Sequence, residues 1–359
     1  MLKILITGSN GYIGSLLVPY LRSKKYDVLG IDIGFFRNCF LYKGKKKEKT
    51  IYKDVRMITE LDLNNVDAIV HLAGISNDPL NAISSKKVYD INRKYTFELA
   101  QKAKKLGIKF IFASSCSVYG AASNKLFLNE DSPTNPQTPY SLNKLQIEKD
   151  LEKIADKKFF PICLRFGTIF GISKHMRFDI IINMLVGMAI TTKKIILNSN
   201  GRAWRPNLYI EDACSAIEQA IEYKKKKNDN KILILNIGMN KNNLTVIGIA
   251  KIIKDLVKGT EIFFLKKNKD LNNNLITDRK IKNGIDTRTY KVSFKKLKSF
   301  FVNYRCKTTV RSGVKKMIKE LTNLKLSKKK FYNKKFYRLQ YFEYLYERKV
   351  VDQFLKLII

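Results

Sequence analysis

The chain has 359 residues, 45% of them hydrophobic, which is enough to bury a sizeable core and fits about two structural units. Its net charge is +38, from 69 Lys and Arg residues against 31 Asp and Glu residues. Five scattered cysteines without a CxxC spacing argue against a disulfide framework or a zinc site, and two histidines are too few for a histidine-based metal site.

The sequence shows no secretory leader, since it opens on a strand pattern rather than a charged segment followed by an apolar one. No apolar run approaches the roughly 18 residues expected of a membrane span. We therefore expect a cytoplasmic protein that has no membrane span and binds no metal. The charge leaves nucleic acid, an anionic membrane or an acidic substrate open as partners. Because lysines are spread along the whole chain, we favour a lysine-rich surface, with local clusters at 43–49 and after residue 325.

The first elements predict a dinucleotide-binding turn. An apolar run at 2–6 predicts a buried strand, and apolar residues at helical spacing predict a helix that ends near residue 23. Between them, Gly8 permits a tight turn, Gly11 lets the backbone approach a pyrophosphate, and Gly14 lets the helix pack closely on the strand. The N-terminus of that helix would offer free N–H groups to phosphates.

A second strand, predicted at 26–33, contributes an acidic residue to this pattern. Asp32 lies 18 residues beyond Gly14. A carboxylate at this position can accept hydrogen bonds from both ribose hydroxyls, and it would repel the 2′-phosphate of NADP. The pattern therefore predicts NAD as the cofactor.

The remaining elements predict a Rossmann fold: an α/β, doubly wound parallel sheet with a smaller C-terminal substrate-binding cap. Apolar runs at 67–74, 108–115 and 159–167 predict buried parallel strands, with helices at 88–106 and 140–156. Looser spacing beyond residue 170 predicts the cap; its elements are helices near 177–190, 211–224 and 244–258 and strands at 193–197 and 232–236.

We divide the chain into an NAD-binding domain at 1–170, whose sheet later segments complete, an interwoven nucleotide-sugar-binding cap at 171–322 and a basic, aromatic C-terminal tail at 323–359. The tail is predicted to be an amphipathic helix that packs on the body or on a partner subunit. Single-stranded RNA and an anionic bilayer are alternative contacts for it. Its predicted apolar face comprises Tyr337, Tyr341, Tyr344, Leu345, Val351, Phe354 and Ile358.

One pair of residues has the spacing of an acid–base catalyst. Tyr140 and Lys144 stand at i and i+4, so both project from one helical face. A tyrosine has an ordinary pKa of about 10, but a nearby ammonium favours its phenolate. A serine in "SSCSVYG" at 114–120 follows a strand that should face the nicotinamide, and its hydroxyl can bind the substrate oxygen whose proton the tyrosine takes.

Five motifs, "TGSNGYIG", "HLAG", "SSCSVYG", "YSLNK" and "WRPNLYIEDA", together resemble the extended short-chain dehydrogenase/reductase superfamily. The closer resemblance is to its NAD-dependent epimerase/dehydratase branch, which acts on nucleotide-activated sugars, and it covers roughly residues 1–322. The resemblance implies Ser115, Tyr140 and Lys144 as the catalytic triad.

The same resemblance implies further site residues. The implied cofactor-binding residues include Tyr140, Lys144, Gly8, Gly11, Tyr12, Ile13, Gly14 and Asp32. Asp54 and Val55 would lie at the adenine, Leu72, Ala73 and Gly74 along the cofactor, and Asn92 in the second layer. The implied substrate-binding residues are Ser115, Thr168, Arg205 and Arg288, with Arg205 suited to the diphosphate. The family also forms dimers through two helices per subunit, which here correspond to about 88–106 and 140–156.

Two features depart from the family pattern. Sugar 4,6-dehydratases carry an Asp-Glu pair just after the hydroxyl at the strand end, where this chain has Cys116 and Ser117. Neither is a convincing acid, which argues against dehydration, and Cys116 is expected to be a small packing residue. The lysine cluster at 43–49 and the tail also lie outside the pattern. His71, which ends a strand, is expected to be a core histidine rather than a base.

The resemblance implies an NAD-dependent nucleotide-sugar epimerase that inverts C4 through a transient 4-keto sugar, with its cofactor retained. An NAD(P)-dependent keto-sugar-nucleotide reductase or dehydrogenase would use the same residues but exchange its cofactor. An RNA-binding protein on a Rossmann scaffold is a third hypothesis, from the charge and the tail, although fold alone never establishes function. Intact catalytic residues argue against it. The expected partners are a nucleotide sugar and a second copy of the chain.

Overall fold

We analysed a computed structural model of the chain, which describes residues 1–44, 49–75, 81–122, 126–227, 229–265, 288–352 and 355–358, with the backbone only for 81–88. The lysine cluster lies mostly outside these residues, and its flanking members Lys43 and Lys49 are exposed. None of the described helices is both long and apolar enough to cross a membrane.

Strands and helices alternate along the first two thirds of the chain. The strands are β1 (Lys3–Thr7), β2 (Asp27–Asp32), β3 (Thr50–Tyr52), β4 (Ala68–His71), β5 (Lys109–Ser115), β6 (Phe127–Leu128), β7 (Ile162–Phe166), β8 (Thr168–Phe170), β9 (Lys194–Leu197), β10 (Trp204–Tyr209), β11 (Leu233–Ile237), β12 (Asn243–Thr245), β13 (Glu261–Phe264) and β14 (Lys291–Val292). The helices are α1 (Gly14–Ser23), α2 (Asn81–Lys105), α3 (Pro139–Ile154), α4 (Ile181–Thr192), α5 (Ile210–Glu222), α6 (Val246–Leu256), α7 (Lys295–Phe300), α8 (Val310–Asn323), α9 (Lys328–Phe331) and α10 (Arg338–Glu347).

The central sheet has seven strands in the order β3-β2-β1-β4-β5-β7-β11, and every neighbouring pair is parallel. This order confirms the predicted doubly wound Rossmann fold. Alternate side chains of each strand enter opposite layers. On β5, for example, Ile111 packs with the layer of α1 and α5, while Phe110 and Phe112 pack with that of α2 and α3. Because both layers exclude water, inner strands such as β4 and β7 are buried along their whole length rather than alternating.

The cap is built around a separate apolar core. Buried residues of α4, α6 and α8 form this core, and a three-stranded sheet, β12-β10-β8, joins the cap to the end of β7. The predicted helix at 177–190 begins later, at Ile181, because 171–180 form a loop behind the short strand β8. Helix α2 begins seven residues before the expected residue 88.

The prediction that the tail forms a single amphipathic helix is wrong. The tail instead contains α9, a short 3-10 turn at Lys334–Phe336 and α10, which ends at Glu347. The helix does not continue after α9 because the Asn333 side chain accepts a hydrogen bond from the Lys335 N–H and so starts a new turn. Val351 pairs with Leu357 in an isolated bridge, and Phe354 lies outside the described residues.

All five cysteines are free thiols. Four are buried, and Cys306 is partly exposed. Burial and the neighbouring Asp212 carboxylate raise the pKa of Cys306 to about 12. None of the described residues forms a cluster of three or more His, Cys, Asp or Glu side chains able to hold a metal ion.

Candidate active site

The turn between β1 and α1 has the geometry that its glycines predict. Gly8 has a φ of +75°, and a Cβ there would lie 2.8 Å from the Ala73 nitrogen of the neighbouring strand's loop. A Cβ on Gly14 would lie 2.2 Å from the Gly8 carbonyl oxygen. The Ser15 and Leu16 N–H groups donate to the Gly11 and Ile13 carbonyls, so the N–H groups just before them are the donors that this closely packed turn can present to an anion.

A cavity opens beside this turn at the carboxyl ends of β1, β2 and β4. Its wall brings together every residue implied for the adenosine and phosphate part of a cofactor: Gly8, Gly11, Tyr12, Ile13, Gly14, Asp32, Asp54, Val55, Leu72, Ala73, Gly74 and Asn92. Ser115, Tyr140 and Lys144 are not part of this wall. They stand farther along the sheet edge, at the end of β5 and the start of α3.

Asp32 ends β2 and is fixed by the backbone on both sides. Its Oδ2 accepts the Asn10 N–H at 2.9 Å, and its Oδ1 accepts the Gly34 N–H at 2.7 Å. Burial raises the pKa of Asp32, although these two N–H groups and the charge of Arg338 act in the opposite direction. Each carboxylate oxygen keeps acceptor capacity, which suits ribose hydroxyls.

The adenine side carries an unexpected arginine. Asp54 caps the 3-10 turn Val55–Met57, and its carboxylate forms an ion pair with Arg56. The Arg56 guanidinium also donates to the Leu355 carbonyl at 3.0 Å, so it ties this edge to the C-terminal tail. The wall at the implied adenine position therefore includes Leu355 of the C-terminal tail, which lies outside the family pattern.

Two polar contacts hold the wall behind β4. Asn92 on α2 exchanges hydrogen bonds with the Ile75 backbone at 3.1 and 3.2 Å, which fixes the loop that follows Gly74. His71 is buried between the hydroxyls of Thr7 and Thr96, at 2.8 and 3.0 Å. Burial and the charge of Lys144 lower the pKa of His71 to about 3, so the ring is neutral at physiological pH. The expected core histidine is confirmed.

Ser115, Tyr140 and Lys144 lie where β5 meets α3. Thr138 and Ser141 form a capping box that starts α3 at Pro139, which places Tyr140 and Lys144 in its first two turns. Lys144 Nζ donates to the Ala113 carbonyl at 2.7 Å and lies 5.8 Å from the centre of the Tyr140 ring. Desolvation lowers the pKa of Lys144 to about 8. Ser115 Oγ accepts the Ser117 N–H at 3.1 Å.

A buried ion pair between Glu148 and Arg165 lies next to the corner where β5 meets α3. Glu148, one turn after Lys144, accepts hydrogen bonds from Ser114 Oγ at 2.5 Å and from Arg165 Nη2 at 2.7 Å. Arg165 also donates to Tyr119 Oη at 3.0 Å. Arg165 and Glu148 are 3% and 2% exposed, so removing either partner would leave an unpaired charge in the protein interior.

Three of the implied substrate-binding residues, Thr168, Arg205 and Arg288, lie on or beside the cap sheet. Thr168 begins β8 and is paired with Asn207 of β10, two residues after Arg205. The Arg205 guanidinium donates to the Arg288 carbonyl and lies 5.7 Å from the centre of the Tyr290 ring. Ser115, at the end of β5, is paired with Phe166, at the end of β7. Thr168 follows Phe166 by two residues and therefore lies close to the strand end that carries Ser115.

The two positions after Ser115 hold no carboxylate. Cys116 is 1% exposed, and its thiol donates to the Arg165 carbonyl at 3.1 Å. Burial raises the pKa of Cys116 above its ordinary value, which keeps it protonated. The Ser117 hydroxyl is also buried and has no hydrogen-bond partner among the described residues.

Sequence reasoning missed the outer side of the cavity. Arg177, from the loop before α4, and Arg338 and Phe342, from α10, all line it. Arg177 donates to both oxygens of Asp179 at 2.9 and 3.0 Å. Burial would lower the pKa of Arg177, but Asp179 and, less strongly, Tyr140 raise it. No local pattern marks these residues, because chain folding alone brings them beside the glycine turn.

The residues of the cavity fit a dinucleotide. The turn at Gly8 and Gly14 is too close-packed for side chains, and Asp32 offers acceptors to a ribose. Arg338 also lines the cavity, and its buried Nη1 has no hydrogen-bond partner in the described part of the chain. Gly8, Asp32 and their neighbours would therefore hold NAD.

Comparison with known proteins gives the same result. The model of the NAD-dependent epimerase/dehydratase family matches residues 4–238. An uncharacterised UDP-glucose epimerase of Bacillus subtilis is 30% identical over 234 residues, which are 60% of this chain and 71% of that protein. A dTDP-D-glucose 4,6-dehydratase of Homo sapiens is 25% identical over 272 residues, covering 72% and 75% of the two chains.

Solved structures share the fold. A UDP-glucuronic acid 4-epimerase from Bacillus cereus, in complex with UDP-glucuronic acid and NAD, has a TM-score of 0.72 at 24% identity and covers 90% of this chain and 100% of its own. A dTDP-glucose 4,6-dehydratase from Bacillus anthracis, in complex with NAD, has a TM-score of 0.70 at 22% identity, with coverages of 95% and 100%. With the family model matching well over half of its length, this chain belongs to the NAD-dependent epimerase/dehydratase family of enzymes, and its cofactor is NAD.

Proposed function

We propose that this protein is a nucleotide-sugar epimerase that inverts C4 through a transient 4-keto sugar. The observation that carries the proposal is the environment of the two residues after Ser115. Dehydration needs a group that protonates the leaving C6 oxygen and a base at C5, and neither a buried thiol nor a hydroxyl supplies them at neutral pH. The side chains at the strand end are suited to redox chemistry at one hydroxyl.

Each residue of the corner has a distinct role in this proposal. Tyr140 removes the proton of the sugar C4 hydroxyl, and Ser115 hydrogen-bonds the same oxygen. Lys144 stabilises the Tyr140 phenolate. NAD, when bound, supplies the acceptor and donor of the hydride. After the bound 4-keto sugar has rotated, Tyr140 returns the proton to the C4 oxygen. One acid–base group therefore acts on both faces of C4.

The substrate end has the charge for a nucleotide diphosphate. Arg205 and Arg288 meet through a hydrogen bond, and Lys291 Nζ lies 5.3 Å from the Trp204 ring. We assign Arg205 to the diphosphate and Thr168 to the sugar side, because Thr168 stands next to the strand end that carries Ser115. UDP-glucose and UDP-glucuronic acid, which relatives act on or bind, are the first substrates to try.

The test is product analysis in deuterium oxide. UDP-glucose and UDP-glucuronic acid are incubated with the purified protein, and the products are identified by NMR. An epimerase returns the same hydride, so the C4 epimer should form without added NADH and without deuterium on carbon. A 4-keto-6-deoxy product that carries solvent deuterium would establish a dehydratase. Oxidation of the sugar that requires added NAD or NADP in stoichiometric amount, with release of the reduced cofactor, would establish a dehydrogenase.

We also propose that two copies of the chain associate through α2 and α3. These helices lie side by side, tied by an ion pair between Arg93 and Asp150 at 2.5 Å and by a hydrogen bond from Asn143 to the Tyr89 carbonyl at 2.7 Å. Leu142 on α3 is 45% exposed, which leaves an apolar side chain for a partner. Light scattering at micromolar concentration should give twice the mass of the chain, and a monomer would contradict the proposal.

A further inference from the structure

The C-terminal tail forms the outer wall of the cofactor cavity. Its helix α10 packs against the loop that follows β2, where Phe342 contacts Phe35 and Phe36 with ring centres 5.3 and 5.2 Å apart. Phe342 and Leu355 line the cavity itself. The tail lies beyond the part of the chain that matches the family model, so the family does not account for this wall.

Arg338, the first residue of α10, is the charged group of this wall. It is 5% exposed, and its guanidinium carbon lies over the Phe36 ring, 3.7 Å from the ring centre. Nη2 donates to the His175 carbonyl at 3.4 Å, which is a long hydrogen bond. Nη1 is buried and has no hydrogen-bond partner among the residues described, although Arg338 lines the cavity. A buried donor without a partner is costly unless a ligand satisfies it.

The surrounding charges favour an added anion. Arg177, also on the cavity wall, lies near enough for its positive charge to act against that of Arg338, while Asp179 and Asp32 act in its favour. Asp179 is already engaged by both Arg177 and the Arg338 backbone N–H, and Asp32 by two backbone N–H groups. Desolvation, followed by the repulsion from Arg177, lowers the pKa of Arg338 to about 10. An anion between the two guanidinium groups would relieve both effects.

We propose that Arg338 binds the diphosphate of NAD from the side opposite the glycine turn, and that the tail thereby retains the cofactor. The α1 N-terminus contributes backbone donors on one side, and a guanidinium completes the site on the other. Asp32 stands at the ribose, which makes a 2′-phosphate an unfavourable alternative ligand for Arg338. The proposal depends on NAD being the cofactor and is independent of which sugar is turned over.

The test compares nucleotides with and without a diphosphate on full-length, nucleotide-free protein. Arg338→Met removes the charge and keeps an extended side chain, and Arg348→Met, on an exposed tail arginine stacked on Tyr344, is the matched control. By calorimetry, Arg338→Met should weaken ADP binding about 10- to 100-fold, as expected for a charged hydrogen bond in a buried site, and leave adenosine binding unchanged. Arg348→Met should change neither.

Equal losses for ADP and adenosine would overturn the proposal, because they would indicate a purely structural role. A loss confined to 2′-AMP would overturn it too, since the guanidinium would then contact the other phosphate position. If Arg338→Met does not fold, the unsubstituted protein still decides. ADP and NAD, but not adenosine, should slow tryptic cleavage at the exposed lysines 328, 329, 334 and 335. Cleavage unaffected by ADP would again contradict a diphosphate contact.

Discussion

The candidate active site has two ends, the cofactor cavity and the corner where β5 meets α3, and they are built differently. At the cofactor end, backbone atoms of the glycine turn face side chains from the tail, more than 300 residues later in the chain. At the proposed reacting end, Ser115, Tyr140 and Lys144 come from β5 and α3, and Glu148, paired with Arg165, ties α3 to Ser114 of β5. One end is assembled from distant segments, and the other from neighbouring ones.

This difference implies that holding the cofactor and reacting with the sugar are separable properties. The residues of the reacting corner are not part of the cavity wall. Removal of the Tyr140 or Ser115 hydroxyl should change turnover and leave NAD retention intact, whereas Lys144 is also an implied cofactor contact. Substitutions at the turn, at Asp32 or in the tail should change retention first. The predictions below break or sharpen this separation, beginning with the largest effect.

Tyr140→Phe removes one oxygen, the proposed acid–base group. Turnover should fall by about 10²- to 10⁴-fold, the usual contribution of a positioned general base. NAD content after purification, measured by absorbance of the released nucleotide, should not change. Tyr346→Phe, at a tyrosine 48% exposed on the tail, is the control and should be fully active. Near-full turnover of Tyr140→Phe would refute the assigned mechanism.

Gly14→Ala should act on the other end. The added Cβ would meet the Gly8 carbonyl oxygen at 2.2 Å, and a backbone atom cannot rotate away. Overpacking costs about 1–3 kcal/mol, so NAD should bind about 5- to 150-fold more weakly. The control is Gly248→Ala on α6, where the nearest atom is the Thr245 hydroxyl at 3.0 Å. If NAD binds Gly14→Ala normally, the turn does not contact the cofactor as proposed.

Asp32→Ala should change which cofactor is preferred. The unsubstituted protein should bind NAD more tightly than NADP, because the carboxylate accepts ribose hydroxyls and repels a 2′-phosphate. Without it, the preference should shrink by about tenfold, the effect of one hydrogen bond to a charged group. Asp27→Ala, on the exposed start of the same strand, should have no effect. Equal affinities for the two cofactors before substitution would show that Asp32 does not discriminate.

The pH dependence of turnover should reflect Lys144. Its pKa is lowered to about 8, so the ammonium is charged below pH 8 and neutral above it. The phenolate of Tyr140 loses its stabilising charge as pH rises through this value, and turnover should fall to about half of its plateau near pH 8. NAD content measured across the same range should stay constant. A rate that keeps rising to pH 10 would contradict the assigned role of Lys144.

The sequence predicts the parts of this site that are local. Gly8, Gly14 and Asp32 lie within one strand-helix-strand unit, whose spacing alone fixes their geometry, and all three line the cavity. Tyr140 and Lys144 are one helical turn apart, so helical periodicity is sufficient to place them together. The alternation of strands and helices predicts a doubly wound parallel sheet, which the structure confirms.

What the sequence does not predict depends on tertiary contacts. Arg338 and Arg177 are 161 residues apart and share the charge of Asp179, which no periodicity reports. The tail's aromatic residues suggested one helical face, but of that face only Tyr341, Tyr344 and Leu345 lie within α10, which ends at Glu347, and Asn333 caps a separate turn before it. A local cap such as the Asn333 side chain on the Lys335 N–H interrupts the helix, and a hydrophobic pattern over 35 residues does not reveal it.

The state of the cysteines makes the tail open to direct observation. Since thiolates are the reacting species, four buried thiols and Cys306, with a pKa of about 12, should react slowly with maleimides at neutral pH. A single Lys335→Cys substitution, at an exposed position three residues before Arg338, would then carry nearly all of an attached dye. Fluorescence from that dye could follow the tail in real time while nucleotide enters and leaves, without altering any native thiol.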